Sequence, residues 1–221
     1  MISLAQEKKI KSLHTKKGRE KHGLCLVEGK KVIEAAGDAV EVTFSREDTL
    51  FYDELVTTQT PQDIAGIAKV PKWTLDDIRS KPTVVVLDGV QDPGNVGAIL
   101  RLCIGFNASL ILVDSVDVTS PKVVRSSVGT MFHVPWLNVS RGEVTGVIGR
   151  LGRPVYKLEA GDGVDESPGE DEIVLIAGSE GNGIKIDVKG NSYRLKHDPA
   201  LESLNVGHAV AIALHSRYTR T

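Results

Sequence analysis

Four consecutive residues, Val84-Val85-Val86-Leu87, do most to limit what this chain can become. A run so apolar and β-branched reads as a strand buried on both faces. Asp88-Gly89 and Asp92-Pro93-Gly94-Asn95 then break it, and apolar residues return at helical spacing: Val96, Ile99, Leu100, Leu102, Cys103 and Phe106. Residues 83–106 are therefore expected to form a buried strand, a turn and a helix. The polar residues left over, Asn95 and Arg101, fall where open α/β sheets place their ligands.

The same alternation continues to the end of the chain. Residues 110–113, 134–137, 155–158, 173–176 and 193–195 read as strands, and 120–128, 141–151 and 204–219 as helices. This order predicts an α/β fold with a mainly parallel sheet covered on both faces. Upstream, helices over 3–13, 29–36 and 48–56 and strands over 24–27, 40–44 and 64–70 make a smaller α/β unit. Residues 70–82 are polar and contain Pro71 and Pro82, so the boundary is expected near residue 80, giving domains of 1–80 and 81–221. A chain of 221 residues, 41% hydrophobic, has material for both cores.

Charge is unevenly spread. The net value of −2 does not mark the whole molecule as a nucleic-acid binder, yet Lys8, Lys9, Lys11, Lys16, Lys17, Arg19 and Lys21 stand together with only Glu20 opposing them. Two readings stay open: Lys8, Lys11, Lys16, Lys17, Arg19 and Lys21 meet RNA phosphates, or the run is a solvated helix. Residues 159–172 hold seven acids and no base, and within them 161–171 read as a solvated connector without chemistry. Cys25 and Cys103 lie in apolar stretches and are expected to be buried, reduced thiols. Neither they nor the six histidines show metal-ligand spacing, and no metal is expected. There is no leader pattern and no apolar run near the ~18 residues of a membrane span, so the expected location is cytoplasmic, or organellar in a eukaryote.

Residues 178–183, Gly-Ser-Glu-Gly-Asn-Gly, follow an apolar strand but cannot be a Walker loop, because Ile184 separates the last glycine from Lys185. Glycines there let the backbone turn and approach a ligand such as adenine, whose edge offers donors and acceptors. A plain strand-to-loop turn is the alternative. Ser203 stands near the start of the last helix, as its N-cap or as part of a site. Arg101, on a nearly apolar helix, is at a site or in a structural ion pair, with Glu180 as the candidate partner.

Three stretches also carry a resemblance. Asp92-Pro93-Gly94-Asn95-Val96-Gly97-Ala98-Ile99-Leu100-Arg101 after a buried strand, the glycine-rich 178–183, and Glu202-Ser203-Leu204-Asn205-Val206 leading into a helix resemble, in order, the signatures of the SpoU (TrmH-type) branch of the SPOUT RNA ribose methyltransferases. Residues 11–29 resemble, more loosely, the ribosomal-protein-like domain that precedes many SpoU catalytic domains and helps hold RNA. The resemblance implies a deep trefoil knot at the C-terminal end and a homodimer formed through the knotted domain. It implies S-adenosyl-L-methionine as cofactor and methyl transfer to a ribose 2′-hydroxyl of RNA, large-subunit (23S-type) rRNA before tRNA. Carried over by position, Asn95, Arg101, Glu180, Ser203 and Asn205 would be the polar catalytic set. Gly178, Leu195, Ser203, Leu204 and Asn205 would meet the cofactor. The family's Ile-Pro-Met-like segment reads Leu195-Lys196-His197 here, and its Arg-Thr-Ala reads Arg101-Leu102-Cys103. Two other readings remain: a non-catalytic RNA-binding or ribosome-assembly protein keeping the knot, and an α/β enzyme acting on a free nucleotide.

Overall fold

A computed structural model describes residues 1–159, 167–179, 181–198 and 200–220. In chain order its elements are α1 (Leu4–Ser12), α2 (Lys16–His22), β1 (Leu24–Glu28), α3 (Lys30–Ala36), β2 (Val40–Ser45), α4 (Tyr52–Leu55), β3 (Ile64–Lys69), α5 (Leu75–Arg79), β4 (Thr83–Asp88), α6 (Pro93–Gly105), β5 (Ala108–Val113), α7 (Pro121–Ser126), β6 (Trp136–Asn138), α8 (Arg141–Leu151), β7 (Val155–Leu158), β8 (Ile173–Gly178), β9 (Asn191–Tyr193) and α9 (Val206–Tyr218). They sort into two compact units: Met1–Lys72 with Asp117–His133, and Trp73–Val116 with Val134–Thr221.

The first unit has an antiparallel sheet in the order β1-β3-β2. Its core gathers Ile10, Leu13, Leu24, Leu26, Phe44, Tyr52, Leu55 and Ile67. The basic run is two helices rather than one. Ser3 caps α1 in a reciprocal capping box with Gln6, and Thr15 caps α2, which stops at Gly23 in the left-handed region. The expected helix over 48–56 shrinks to α4. Asp48 instead accepts hydrogen bonds from the Ser45 N–H and hydroxyl at 3.0 Å, and Thr49 accepts one from the Phe51 N–H at 3.1 Å. Such local side-chain bonds compete with helix formation.

Residues 117–133, sequence-distant from this unit, are held in it by the packing of α7 on β1, with Val123, Val124 and Met131 buried, and by charge. Arg19 is only 5% exposed and donates to Asp117 at 2.6 Å, Thr119 at 3.0 Å and the Leu13 carbonyl at 2.8 Å. Buried Glu28 pairs with Arg125 and also accepts from the Thr57 hydroxyl at 2.9 Å. A buried ion needs such partners, since removing one strands the other.

The second unit is a six-stranded sheet, β6-β5-β4-β8-β7-β9, in which every strand pairing is parallel. Side chains alternate between its faces. Val84, Val86, Ile111, Val174 and Ile176 pack with Val144, Val147, Ile148 and Leu151 of α8 and Ile78 of α5. Tyr156, Ile173 and Leu175 pack with Ala213 of α9. Residues 73–82 are not a free linker. Thr74 and Asp77 form a capping box that starts α5, Ile78 is buried, and Arg153 donates to the carbonyls of Arg79 and Lys81 at 2.6 Å. The break between the units accordingly falls at Lys72 and Trp73. Among the described residues, no helix is long and apolar enough to cross a membrane.

Candidate functional site

The strand order places β5 on one side of β4 and β8 on the other, so connections leave β4 and β8 in diverging directions. Open α/β sheets bind ligands at such a switch point, outside the carboxyl ends of the strands. The chain's polar features converge there. Asp92 caps α6, accepting from the Asn95 N–H at 2.8 Å, with Pro93 in the first turn. Asn205, not Ser203, caps α9: its side-chain oxygen accepts from the N–H groups of Gly207 at 2.9 Å and His208 at 3.3 Å. The other end of the same amide donates to Asn95 Oδ1 at 3.1 Å. One side-chain bridge thus ties together the amino ends of two helices far apart in sequence.

Asp88 organises the loop after β8. It is 2% exposed; Oδ1 receives Arg141 at 2.7 Å, and Oδ2 receives the backbone N–H groups of Lys185 and Ile186, the latter at 2.8 Å. Its main-chain carbonyl accepts from the Ser179 N–H at 3.0 Å. Between these anchors the loop folds back, with Gly183 N–H on the Ser179 carbonyl at 2.8 Å and Gly183 at φ 62°. A Cβ on Gly178 would lie 2.2 Å from the Gly183 carbonyl group, so only glycine allows this approach.

Beside this loop lies a cavity of about 420 Å³ lined by Leu158, Gly178, Ser179, Asn182, Ser203 and Leu204 among others. That volume lies within the roughly 300–1,000 Å³ of small-molecule sites. A smaller lobe of about 190 Å³ adjoins it between Tyr193, Leu195, His197 and Leu204.

Of the residues singled out from sequence, Gly178, Leu195, Ser203 and Leu204 line these lobes. Asn205 lies between the lining residues Leu204 and Val206, its amide engaged with Asn95 and the helix end. Arg101 is exposed on α6 and has no ion pair among the described residues, so the cost of burying a charge does not explain it. Glu180 lies outside the described residues, as do residues 160–166 of the acidic stretch. In the first unit Lys8, Lys16, Lys17 and Lys21 are exposed, and Lys11 pairs with Glu54 at 2.5 Å while lying over the Phe51 ring. Arg19 is not available to RNA: its guanidinium is buried and committed to Asp117, Thr119 and Leu13. Cys25 and Cys103 are buried, and desolvation pushes both thiols up to about 12. Among the described residues no group of His, Cys, Asp or Glu is arranged to hold a metal ion.

Sequence reasoning missed Asp88 and Asp92. Each had a signal: Asp88 is a charged residue closing an apolar, β-branched run, and Asp92 stands directly before a proline and three residues before Asn95.

Comparison with known proteins accords with this geometry. Residues 82–215 match the SpoU rRNA methylase family, and residues 5–70 match the MRM3-like substrate binding domain. The chain is 30% identical, over 247 aligned positions, to the 23S rRNA (guanosine(2553)-2′-O)-methyltransferase RlmP of Bacillus subtilis (strain 168), covering 97% of each protein. A solved TrmH-family structure from Porphyromonas gingivalis superposes with a TM-score of 0.85 at 28% identity over 100% of both chains. The AdoMet-bound rRNA methyltransferase of Sinorhizobium meliloti, 24% identical, shares the fold with a TM-score of 0.83 over 100% of this chain and 97% of that one. A parallel sheet, a glycine-built loop behind its switch point and a family match over the residues that form them lead to one conclusion: the chain belongs to the SpoU rRNA methylase family.

Proposed function

We propose that this chain is an S-adenosyl-L-methionine-dependent methyltransferase that modifies a ribose 2′-hydroxyl of RNA, large-subunit ribosomal RNA in preference to tRNA. The observation that carries the proposal is the cavity beside the Asn95–Asn205 bridge, walled by the Gly178–Gly183 turn and by Ser203 and Leu204. The residues present fit the cofactor: the glycines of the loop let its backbone come close to an adenine edge, Ser179, Asn182 and Ser203 line the cavity as polar side chains, and Leu158, Leu195 and Leu204 offer an apolar slot for its rings. When bound there, S-adenosylmethionine supplies an electrophilic methyl group.

The chain's own task is then positioning, because in-line transfer depends on a fixed approach of the hydroxyl oxygen. Asn95 and Asn205 hold the two helix starts in register, and Ser203 faces the cavity as a hydroxyl donor or acceptor. Arg101 cannot take the hydroxyl proton, since a guanidinium stays protonated in proteins. Its role is to grip an RNA phosphate and stabilise the developing alkoxide. Glu180 completes the polar set. The first unit, with exposed Lys8, Lys11, Lys16, Lys17 and Lys21, is the RNA-holding domain, and the second unit is the methylase domain.

A homodimer through the knotted domain belongs to the same reading. Ile104 on α6 and Ile212 and Tyr218 on α9 are 48%, 45% and 58% exposed, which is costly for a lone molecule and sensible for a covered face. Arg101 lies one helical turn before Ile104, so a second copy seated there would meet Arg101 as well. The knot is proposed with it, supported by the return of α9 from outlying β9 to pack on α6 and β8.

Calorimetric titration with S-adenosylmethionine tests the proposal. Micromolar binding by the wild type, weakened in Leu204→Arg and Asn205→Ala, is the expected result. Absence of binding with and without RNA would remove the enzyme reading and leave the non-catalytic RNA-binding one.

A further inference from the structure

Residues 161–171 read as a solvated connector, yet Glu159, the first acid of the run that contains them, behaves differently from a solvated acid. Glu159 follows β7 directly, and its N–H reaches the Tyr193 carbonyl at 3.4 Å, extending the β7–β9 pairing by one residue. The Ser192 hydroxyl donates to Glu159 Oε2 at 2.6 Å. The side chain is half-buried and lines both lobes of the cavity. Among the described residues that line the larger lobe, it is the only charged one. A carboxylate fixed through one oxygen, at the rim of a cavity otherwise built from backbone, glycine, serine, asparagine and apolar groups, is set to accept hydrogen bonds with the other oxygen.

The position limits what it accepts them from. Transfer must occur near Asn95 and Asn205, which belong to the starts of α6 and α9. Glu159 is at the end of β7, and β8 separates β7 from β4, the strand that leads into α6. It therefore faces the carrier part of the cofactor rather than the reacting methyl. A nucleoside offers one feature there that suits an acceptor-only group, the vicinal hydroxyls of its ribose, and carboxylates at strand ends of α/β sheets read ribose hydroxyls in this way.

Resting on the methyltransferase reading above, we infer that Glu159 is the residue that recognises the cofactor's ribose. Its Oε1 accepts from the ribose hydroxyls while Ser192 holds Oε2. Tyr193, Arg194, His197 and Glu202 are the other ionisable residues that line the smaller lobe among the described residues.

The test is calorimetry on the full chain with S-adenosylmethionine, S-adenosylhomocysteine and the 2′-deoxyribose analogue of the latter. Glu159→Ala should weaken both natural ligands by about tenfold or more, the value of a charge-assisted hydrogen bond. The loss should be equal for the two, because both carry the ribose. Glu159→Gln, which keeps an acceptor oxygen, should recover part of it, and Ser192→Ala should cost a few-fold. The deoxy analogue should bind wild type about tenfold less tightly than its parent but show no such gap in Glu159→Ala. Unchanged affinities would overturn the inference, as would a loss confined to S-adenosylmethionine, which would make Glu159 a reader of positive charge. If wild type binds neither ligand, the methyltransferase reading itself fails and takes the ribose assignment with it, an outcome distinct from a wild type that binds and a variant that does not differ.

Discussion

Arg101 and Arg19 show how one residue type can be read alike in sequence and end in opposite surroundings. Both are arginines in helices; Arg19 is buried among three acceptors, and Arg101 is exposed on α6. Spacing along a chain does not report which acceptors arrive from residues a hundred positions away, and Asp117 and Thr119 do so for Arg19. Asn95 stood out as a polar side chain at a helix start, and Asn205 only through the resemblance; their mutual bond was not legible, since it joins distant segments. Three predictions belong here. Arg101→Lys keeps the charge but not the planar fork, so methyl transfer should fall by about tenfold or more with cofactor affinity unchanged; near-full activity would count against a bidentate grip on phosphate. Asn205→Ala removes a cap worth about 1 kcal/mol together with the bridge to Asn95, and should lower both the melting temperature and transfer. Arg19→Ala should destabilise the first unit by about 3 kcal/mol, since it leaves half-buried Asp117 without its partner and empties a buried position, while the RNA affinity of the folded fraction, measured by filter binding, stays the same.

At the scale of elements, periodicity found nearly every strand of the parallel sheet, because continuous apolar runs such as Val84 to Leu87 have few other uses. It missed α5, where a polar, proline-flanked stretch hides the Thr74–Asp77 capping box, and it overextended α4, where Asp48 and Thr49 take up backbone donors. It also gave no sign that residues 117–133 join the first unit, since the packing of α7 on β1 and the Arg19–Asp117 and Glu28–Arg125 pairs all join segments far apart in sequence. A fragment of residues 1–72 should consequently fail to show a cooperative thermal transition, and adding residues 117–133 through a linker should restore one. Asp88 is the corresponding device in the second unit. Asp88→Asn would turn an amide NH₂ toward either Arg141 or the Lys185 and Ile186 N–H groups, opposing donor to donor. It should cost about 2–3 kcal/mol of stability and weaken cofactor binding by loosening the Gly178–Gly183 turn.

The whole molecule sets the basic run from Lys8 to Lys21 in a near-neutral total, so RNA binding should fall with salt even though the net charge is −2. Part of its alkaline behaviour follows from the two thiols. Each has its folded value raised from 9.0 to about 12, so between those pH values the native thiols keep protons that the unfolded chain has lost. Their contribution to stability is complete below pH 9 and is lost as pH rises toward 12. Burial also predicts that neither cysteine reacts with iodoacetamide in the native protein. Light scattering should give the mass of a dimer, and Ile104→Glu with Ile212→Glu should give that of a monomer. The most direct measurement follows the methyl group itself: incubation with methyl-labelled S-adenosylmethionine and ribosomal RNA, then digestion and mass spectrometry of the nucleosides. The account predicts label on a ribose 2′-oxygen, abolished in Arg101→Ala. Label on a base, or none on any RNA despite cofactor binding, would contradict it.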